Sequence, residues 1–303
     1  MKTNVVRHIL FPILAALIWG TAFTAQAMGA AHLPPMAFNC ARSLIAVLFL
    51  LPVSRLLDRA EKAAGRTVQP ADRKALLRGG ICCGLTLAAA ANLQQAGIAD
   101  TAAGKAGFIT ASYVVLVPVA GIFLRRRMSA QIWVSVFLAA AGLYLLCIRS
   151  GESFRLVPGD VFLMLCAVGY CAQIYCIDYF VRYVDGVKLS CAQFVVTALV
   201  SGLLSLCFER FQPAAILDCL LPLLYVGVIS SGVAYTLQVL SQKGANPAVV
   251  TVLFSLESVF SVIAGALVLH QSLSRREYLG CAVMFLAVLL AQIPLRARRG
   301  ETV

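Results

Sequence analysis

One acid, two bases and a set of amides and aromatics could carry chemistry inside the apolar stretches of this chain. Glu257 sits in LFSLESVFSV (253–262), within an uncharged stretch from about Ala245 to His270. An unpaired charge there costs about 2.5–3.5 kcal/mol on insertion scales. Three roles are open for it. The carboxyl can anchor two helices by accepting hydrogen bonds from a neighbour, it can exchange a proton as a coupling group, or it can hold a cationic group of a solute. Lys105 and Arg42 lie near the outer ends of their apolar stretches. Either can snorkel its charge to the interface, or attract a carboxylate, or pair with Glu257. Position favours snorkelling for Arg42. For Lys105 the two readings balance, because Ser112 lies seven residues on, on the same helical face.

Uncharged polar residues form stripes at helical spacing. Tyr235, Gln238 and Gln242 recur at i, i+3 and i+7, Tyr170 shares a face with Gln173, and Asn92 with Gln95, next to Gln94. Trp19, Phe23 and Gln26 align on another segment, and Tyr113 adds a further aromatic hydroxyl. Such stripes face protein or water rather than lipid. They serve either as interhelical glue, about 0.6 kcal/mol per bond, or as the wall of a polar, aromatic-lined cavity. Stripes on four segments favour the cavity. Its lining suits a small neutral or zwitterionic organic solute with some apolar bulk. An inorganic ion would call for more carboxylates or rings of carbonyls.

These residues need a scaffold, and the composition dictates its kind. Of the 303 residues, 61% are hydrophobic and 13% charged, against about 45–50% and about 25% in soluble domains. The chain reads as an all-α integral membrane protein, since its apolar runs are far longer than barrel strands. A ruler of about 20 residues per span gives ten candidates: 9–30, 35–54, 76–97, 102–124, 130–149, 158–180, 188–208, 217–239, 246–269 and 276–293. The first looks like a secretory signal, but its apolar stretch exceeds the usual 7–15 residues and further spans follow, so it reads as a retained span. The linker DRAEKAAGRTVQPADRKALLR (58–78) is the only long polar one.

The net charge of +12 is a matter of placement. With both termini inside, inner segments hold 18 of the 25 Lys and Arg and outer segments five. That bias sets orientation by the positive-inside rule, and no nucleic-acid partner is needed. Eleven cysteines include no CxxC and three histidines lie far from metal-ligand spacing, so neither metal nor other cofactor is expected. No HExxH, GxSxG or P-loop appears, which argues against an enzyme. A lipid-modifying intramembrane enzyme and a passive channel remain the alternatives.

Two pairs of segments match across the chain. RRRMSAQIWVSVFLAAAGLYLL (125–146) resembles HQSLSRREYLGCAVMFLAVLLA (270–291), and AALIWGTAF (15–23) resembles LCAVGYCAQ (165–173). Both fall at equivalent places in two sets of five spans, 9–149 and 158–293. Five is odd, so the second set enters from the opposite side, and inverted repeats are an alternating-access architecture. Gly80-x-x-x-Gly84 permits close packing, either within the chain or at a dimer seam.

IWGTAF (18–23), FNCARSLIA (38–46), KAGFITASYVVLVP (105–118) and LFSLESVFSVIAG (253–265) resemble, in order and spacing, EamA-type members of the drug/metabolite transporter superfamily. The resemblance covers about residues 9–293. It implies two inverted five-helix repeats and export or exchange of small metabolites, amino acids or drugs across the cytoplasmic membrane, with a small-molecule substrate, the lipid bilayer and a monomer or homodimer as its partners. Three places depart from the family pattern. Ser258 replaces a proline that often follows the glutamate, and Arg125-Arg126 and His270-Gln271 stand where Gly-Glu often ends the fourth and ninth spans. The substrate wall expected is Trp19, Gln26, Asn92, Gln95, Tyr113, Tyr170, Gln173, Tyr235 and Gln238, with Glu257 and Lys105 for coupling or anchoring.

Overall fold

The computed structural model describes residues 6–63, 72–101, 103–126, 128–148, 157–210, 214–268 and 274–292, and among these every regular element is a helix. A wide turn, Val6–Leu10, opens α1 (Phe11–Ala30), followed by α2 (Pro35–Ala63) and α3 (Arg73–Asp100). Then come α4 (Ala103–Ala111), α5 (Tyr113–Phe123), α6 (Ala130–Cys147), α7 (Pro158–Phe180) and α8 (Gly186–Phe208). The next column is built of pieces: α9 (Ala215–Asp218), α10 (Leu220–Leu224), a wide helical segment Tyr225–Ala234 and α11 (Tyr235–Gln242). Finally come α12 (Pro247–Phe254), α13 (Leu256–Val268) and α14 (Arg275–Gln292).

The starts follow from local chemistry. Asp72 accepts from Lys74 N and Ala75 N, Asp185 from Val187 N and Lys188 N, and Asn246 from Ala248 N, which satisfies amides that have no partner in the first turn. Among the described residues eight helical stretches are long and apolar enough to cross a membrane, against ten expected. The other two are α6, apolar but shorter over Ala130–Leu146, and α14, which opens on Arg275, Arg276 and Glu277. Helix α2 runs on to Ala63, so the first part of the expected 58–78 linker is helical, while residues 64–71 lie outside the described residues.

Two helices break at a serine. Ser112 separates α4 from α5 with φ −59° and ψ −13°, and Ser255 separates α12 from α13 with φ −62° and ψ −13°. Each hydroxyl donates to a carbonyl three residues back, Ser112 Oγ to Ile109 O (2.6 Å) and Ser255 Oγ to Val252 O (2.7 Å). Such back-bonding competes with the helical ladder. Two residues past the end of α5 stands Arg125, whose φ is 55°, a left-handed conformation that disfavours any side chain with a Cβ. This is where the family pattern often has glycine. His270-Gln271, the matching site after α13, lies outside the described residues.

Packing crosses the chain's midpoint. Helix α3 runs along α7 and α8, α2 along α8 and residues 225–234, α1 along α13 and residues 225–234, and α6 along α14. Gly20 permits the α1–α13 contact, because a Cβ there would lie 2.5 Å from the Glu257 carbonyl oxygen. Gly80 and Gly84 face Ala192, Val196 and Gln193 of α8, so this small-residue pair makes a contact within the chain. At the basic end Asp178 accepts from Arg126 and, at 2.9 Å, from Arg182. Lys188 pairs with Asp58 at 2.8 Å, and Arg7 Nε donates to Leu240 O at 2.8 Å.

Candidate functional site

The bundle holds a partly open cavity, with about 500 Å³ of atom-free space when its open surroundings are included. Helix α1 supplies Trp19, Phe23 and Gln26, α2 Arg42, α3 Gln94, α4 Thr110 and α5 Tyr113. From the other side α7 supplies Tyr170 and Ile174, the wide segment Ser230, α11 Tyr235 and Gln238, α12 Phe254 and α13 Glu257. The break at Ser255 places Glu257 in the first turn of α13.

Aromatic rings make the middle of the wall. Trp19 packs edge-on to Tyr235 at 5.0 Å between centroids and tilted to Phe254 at 5.2 Å. Tyr113 and Tyr170 meet at 6.3 Å. Their hydroxyls are tied in short chains. Tyr235 donates to Tyr170 (3.3 Å) and Tyr170 to Gln94 Oε1 (3.0 Å). Tyr113 donates to Glu257 Oε1 at 3.4 Å, a long contact for an O–H donor. Glu257 is 5% exposed.

Arg42 overturns the snorkelling expected of it. The residue is 3% exposed and turns inward, where Nη1 donates to Gln26 Oε1 at 3.0 Å. Its acceptor lies on another helix, which no spacing within α2 reveals. Seven expected site residues, Trp19, Gln26, Tyr113, Tyr170, Tyr235, Gln238 and Glu257, stand together on the cavity wall. Three do not. Asn92 is held by Asn39 (3.1 Å) and Ser201 (2.9 Å), Gln95 donates to Gln26 O (3.1 Å), and Gln173 bridges Gln193 (3.3 Å) and Gln238 (3.1 Å). These amides join helices, the role the sequence had left open for every stripe. The side chain of Lys105 lies outside the described residues. Sequence reasoning missed Gln94, Thr110, Ile174, Ser230 and Phe254 as wall residues. Only Gln94, adjacent to the Asn92–Gln95 stripe, carried a signal. No group of three or more potential metal ligands occurs among the described residues.

The family model described as the EamA-like transporter family matches twice, over residues 6–148 and 157–292. An uncharacterized transporter of Archaeoglobus fulgidus is 29% identical over 290 residues, covering 92% of this chain and 84% of that one. An uncharacterized transporter of Bacillus subtilis is 25% identical over 313 residues, covering 99% and 97%. A crystal structure with 21% sequence identity superposes with a TM-score of 0.75 over 97% of this chain and 99% of that chain, a likeness of fold.

Proposed function

This chain belongs to the EamA-like transporter family of the drug/metabolite transporter superfamily, and from that premise we propose that it exports or exchanges a small organic solute by alternating access. The chain is a multi-pass membrane transporter. The observation that carries the finer reading is the cavity, whose wall comes from both halves of the chain and joins aromatic rings to one acid and one base.

In this reading residues 9–149 and 158–293 are two inverted repeats of five spans, with both termini on the cytoplasmic side of the cell membrane. Several observations support it. The family model matches each half separately. The contact of α1 with α13 has its counterpart in that of α4 and α5 with α7, and the contact of α2 with residues 225–234 has its counterpart in that of α8 with α3. The serine breaks fall in corresponding helices, and discontinuous helices at a repeat interface are where transporter sites form. The cavity is complete in one chain, so a monomer suffices and a homodimer would hold two independent sites.

Glu257 is the coupling residue of this proposal. A structural anchor would be expected to collect several donors, whereas among the described residues Glu257 has only the long bond from Tyr113. The test is efflux from proteoliposomes loaded with a mixed panel of amino acids and small metabolites, with and without a pH gradient. One solute class should leave selectively and saturably. Flux that never saturates would favour a passive channel, and lipid turnover by the pure protein would favour an enzyme.

A further inference from the structure

Among the described residues Arg42 is a buried guanidinium without a counter-ion. It pairs with no carboxylate among the described residues, and Glu257, on the same cavity wall, does not reach it. Its one acceptor is the neutral Gln26, and its Nε has no partner. Arginine only donates, so Gln26 must present its oxygen to it, which leaves the Gln26 amide nitrogen as a second donor beside the guanidinium. A buried charge held by one neutral acceptor is costly. A cavity that keeps such a group at its wall is incomplete without an anion.

The chemistry of that anion is set by the site. A guanidinium edge matches a carboxylate in two parallel hydrogen bonds. A phosphate would bring more charge than a single base balances. Trp19 and Phe254 lie further along the same wall and offer a flat apolar surface for the rest of the molecule.

The second polar pole, Glu257, meets α1 at another level of the same wall. Gly20 packs on the Glu257 carbonyl, while Gln26 holds Arg42. These two levels of α1 are about 9 Å apart along its axis.

We propose that Arg42, with Gln26, is the carboxylate subsite of the cavity, so that the solute is a carboxylate with an apolar or aromatic body lying against Trp19 and Phe254. Glu257 is left free of the solute's carboxylate end. This rests on the reading of the cavity as the transport site.

Matched acids and amides test it: phenylacetate with phenylacetamide, hexanoate with hexanamide, and phenylalanine with its amide. Binding is read at neutral pH as the concentration dependence of thermal stabilisation of the full chain in detergent. At least one acid should bind about 10- to 100-fold more tightly than its amide, the range expected for a charged hydrogen-bond partner. Arg42→Gln should abolish that difference and Arg42→Lys should restore part of it. Equal binding of acid and amide, no stabilisation by any acid, or a preference that survives Arg42→Gln overturns the subsite. The wild-type comparison decides alone if a variant fails to fold. Flux of the same pairs separates the two claims. Amides carried as fast as acids would leave the transporter reading standing and sink this one. Acids that bind but are never carried would do the reverse.

Discussion

Ser112 and Ser255 stand at matching breaks, with backbone angles that agree within a few degrees and the same hydroxyl-to-carbonyl bond. The residues just beyond the two breaks differ. Two positions after Ser255 comes Glu257, on the cavity wall. Two positions after Ser112 comes Val114, fully buried in an apolar cluster with Ala16 and Val252. The backbone device is therefore duplicated while its chemical load is not. Geometry of a helix break is a property of the repeat, whereas a carboxyl needs open space or a donor on one particular side. Beside the second break both are at hand, the cavity and, from the first half, the Tyr113 hydroxyl.

The harshest way to break the comparison is to move the acid. Val114→Glu places a carboxyl in a packed apolar site with no donor and should destabilise the protein by about 3 kcal/mol or more, read as a fall in melting temperature in detergent. A variant that melts like the parent would mean that a side chain at position 114 can also reach the cavity. Next, Gly20→Ala pushes a Cβ to 2.5 Å from the Glu257 carbonyl oxygen. Overpacking of this kind costs about 1–3 kcal/mol. Gly107→Ala in α4 serves as its counterpart, because a Cβ there meets nothing within 4 Å; it should be neutral or stabilise by up to about 1 kcal/mol.

Smaller effects sharpen the contrast. Arg125→Gly relieves the left-handed residue just past the end of α5 and should raise stability by about 1 kcal/mol. Glu257→Gln keeps shape and hydrogen bonding, so the melting temperature should move little. Its expected effect is on transport, where flux should lose its dependence on an imposed pH gradient; unchanged dependence would return Glu257 to an anchoring role. The smallest changes are Ser112→Ala and Ser255→Ala. Each removes one back-bond that competes with the helix, and the two should shift stability by less than about 1 kcal/mol and by similar amounts. A large difference between them would show that the breaks are not equivalent.

Much of this was legible along the chain. Long apolar runs and cap residues such as Asp72, Asp185 and Asn246 delimit helices because membrane thickness and unpaired amides leave few other solutions. Glu257 stood out by cost alone, and the stripes through Trp19, Tyr170 and Tyr235 placed aromatics on one wall. What stayed hidden depends on contacts between helices. The breaks at Ser112 and Ser255 have no proline and no glycine to announce them. Arg42 reads as an interfacial base until Gln26 of another helix is brought beside it. Asn92 and Gln173 have the same periodicity as wall residues, and only the positions of Ser201 and Gln193 turn them into glue. A stripe shows that a face is polar but not what it meets.

The Asp178 cluster has a consequence for motion. Its two cations belong to different bodies: Arg182 rides on the end of the same helix as the acid, one turn on, and Arg126 lies just past the end of α5. A buried acid stripped of every partner is among the costliest events in a protein interior. Any movement that draws α5 away from α7 takes Arg126 along but leaves Arg182 in place, so the carboxylate always keeps an escort. The contact works as a clasp with a permanent half and a removable half, and separating the two bodies costs one exchangeable bond rather than a bare charge.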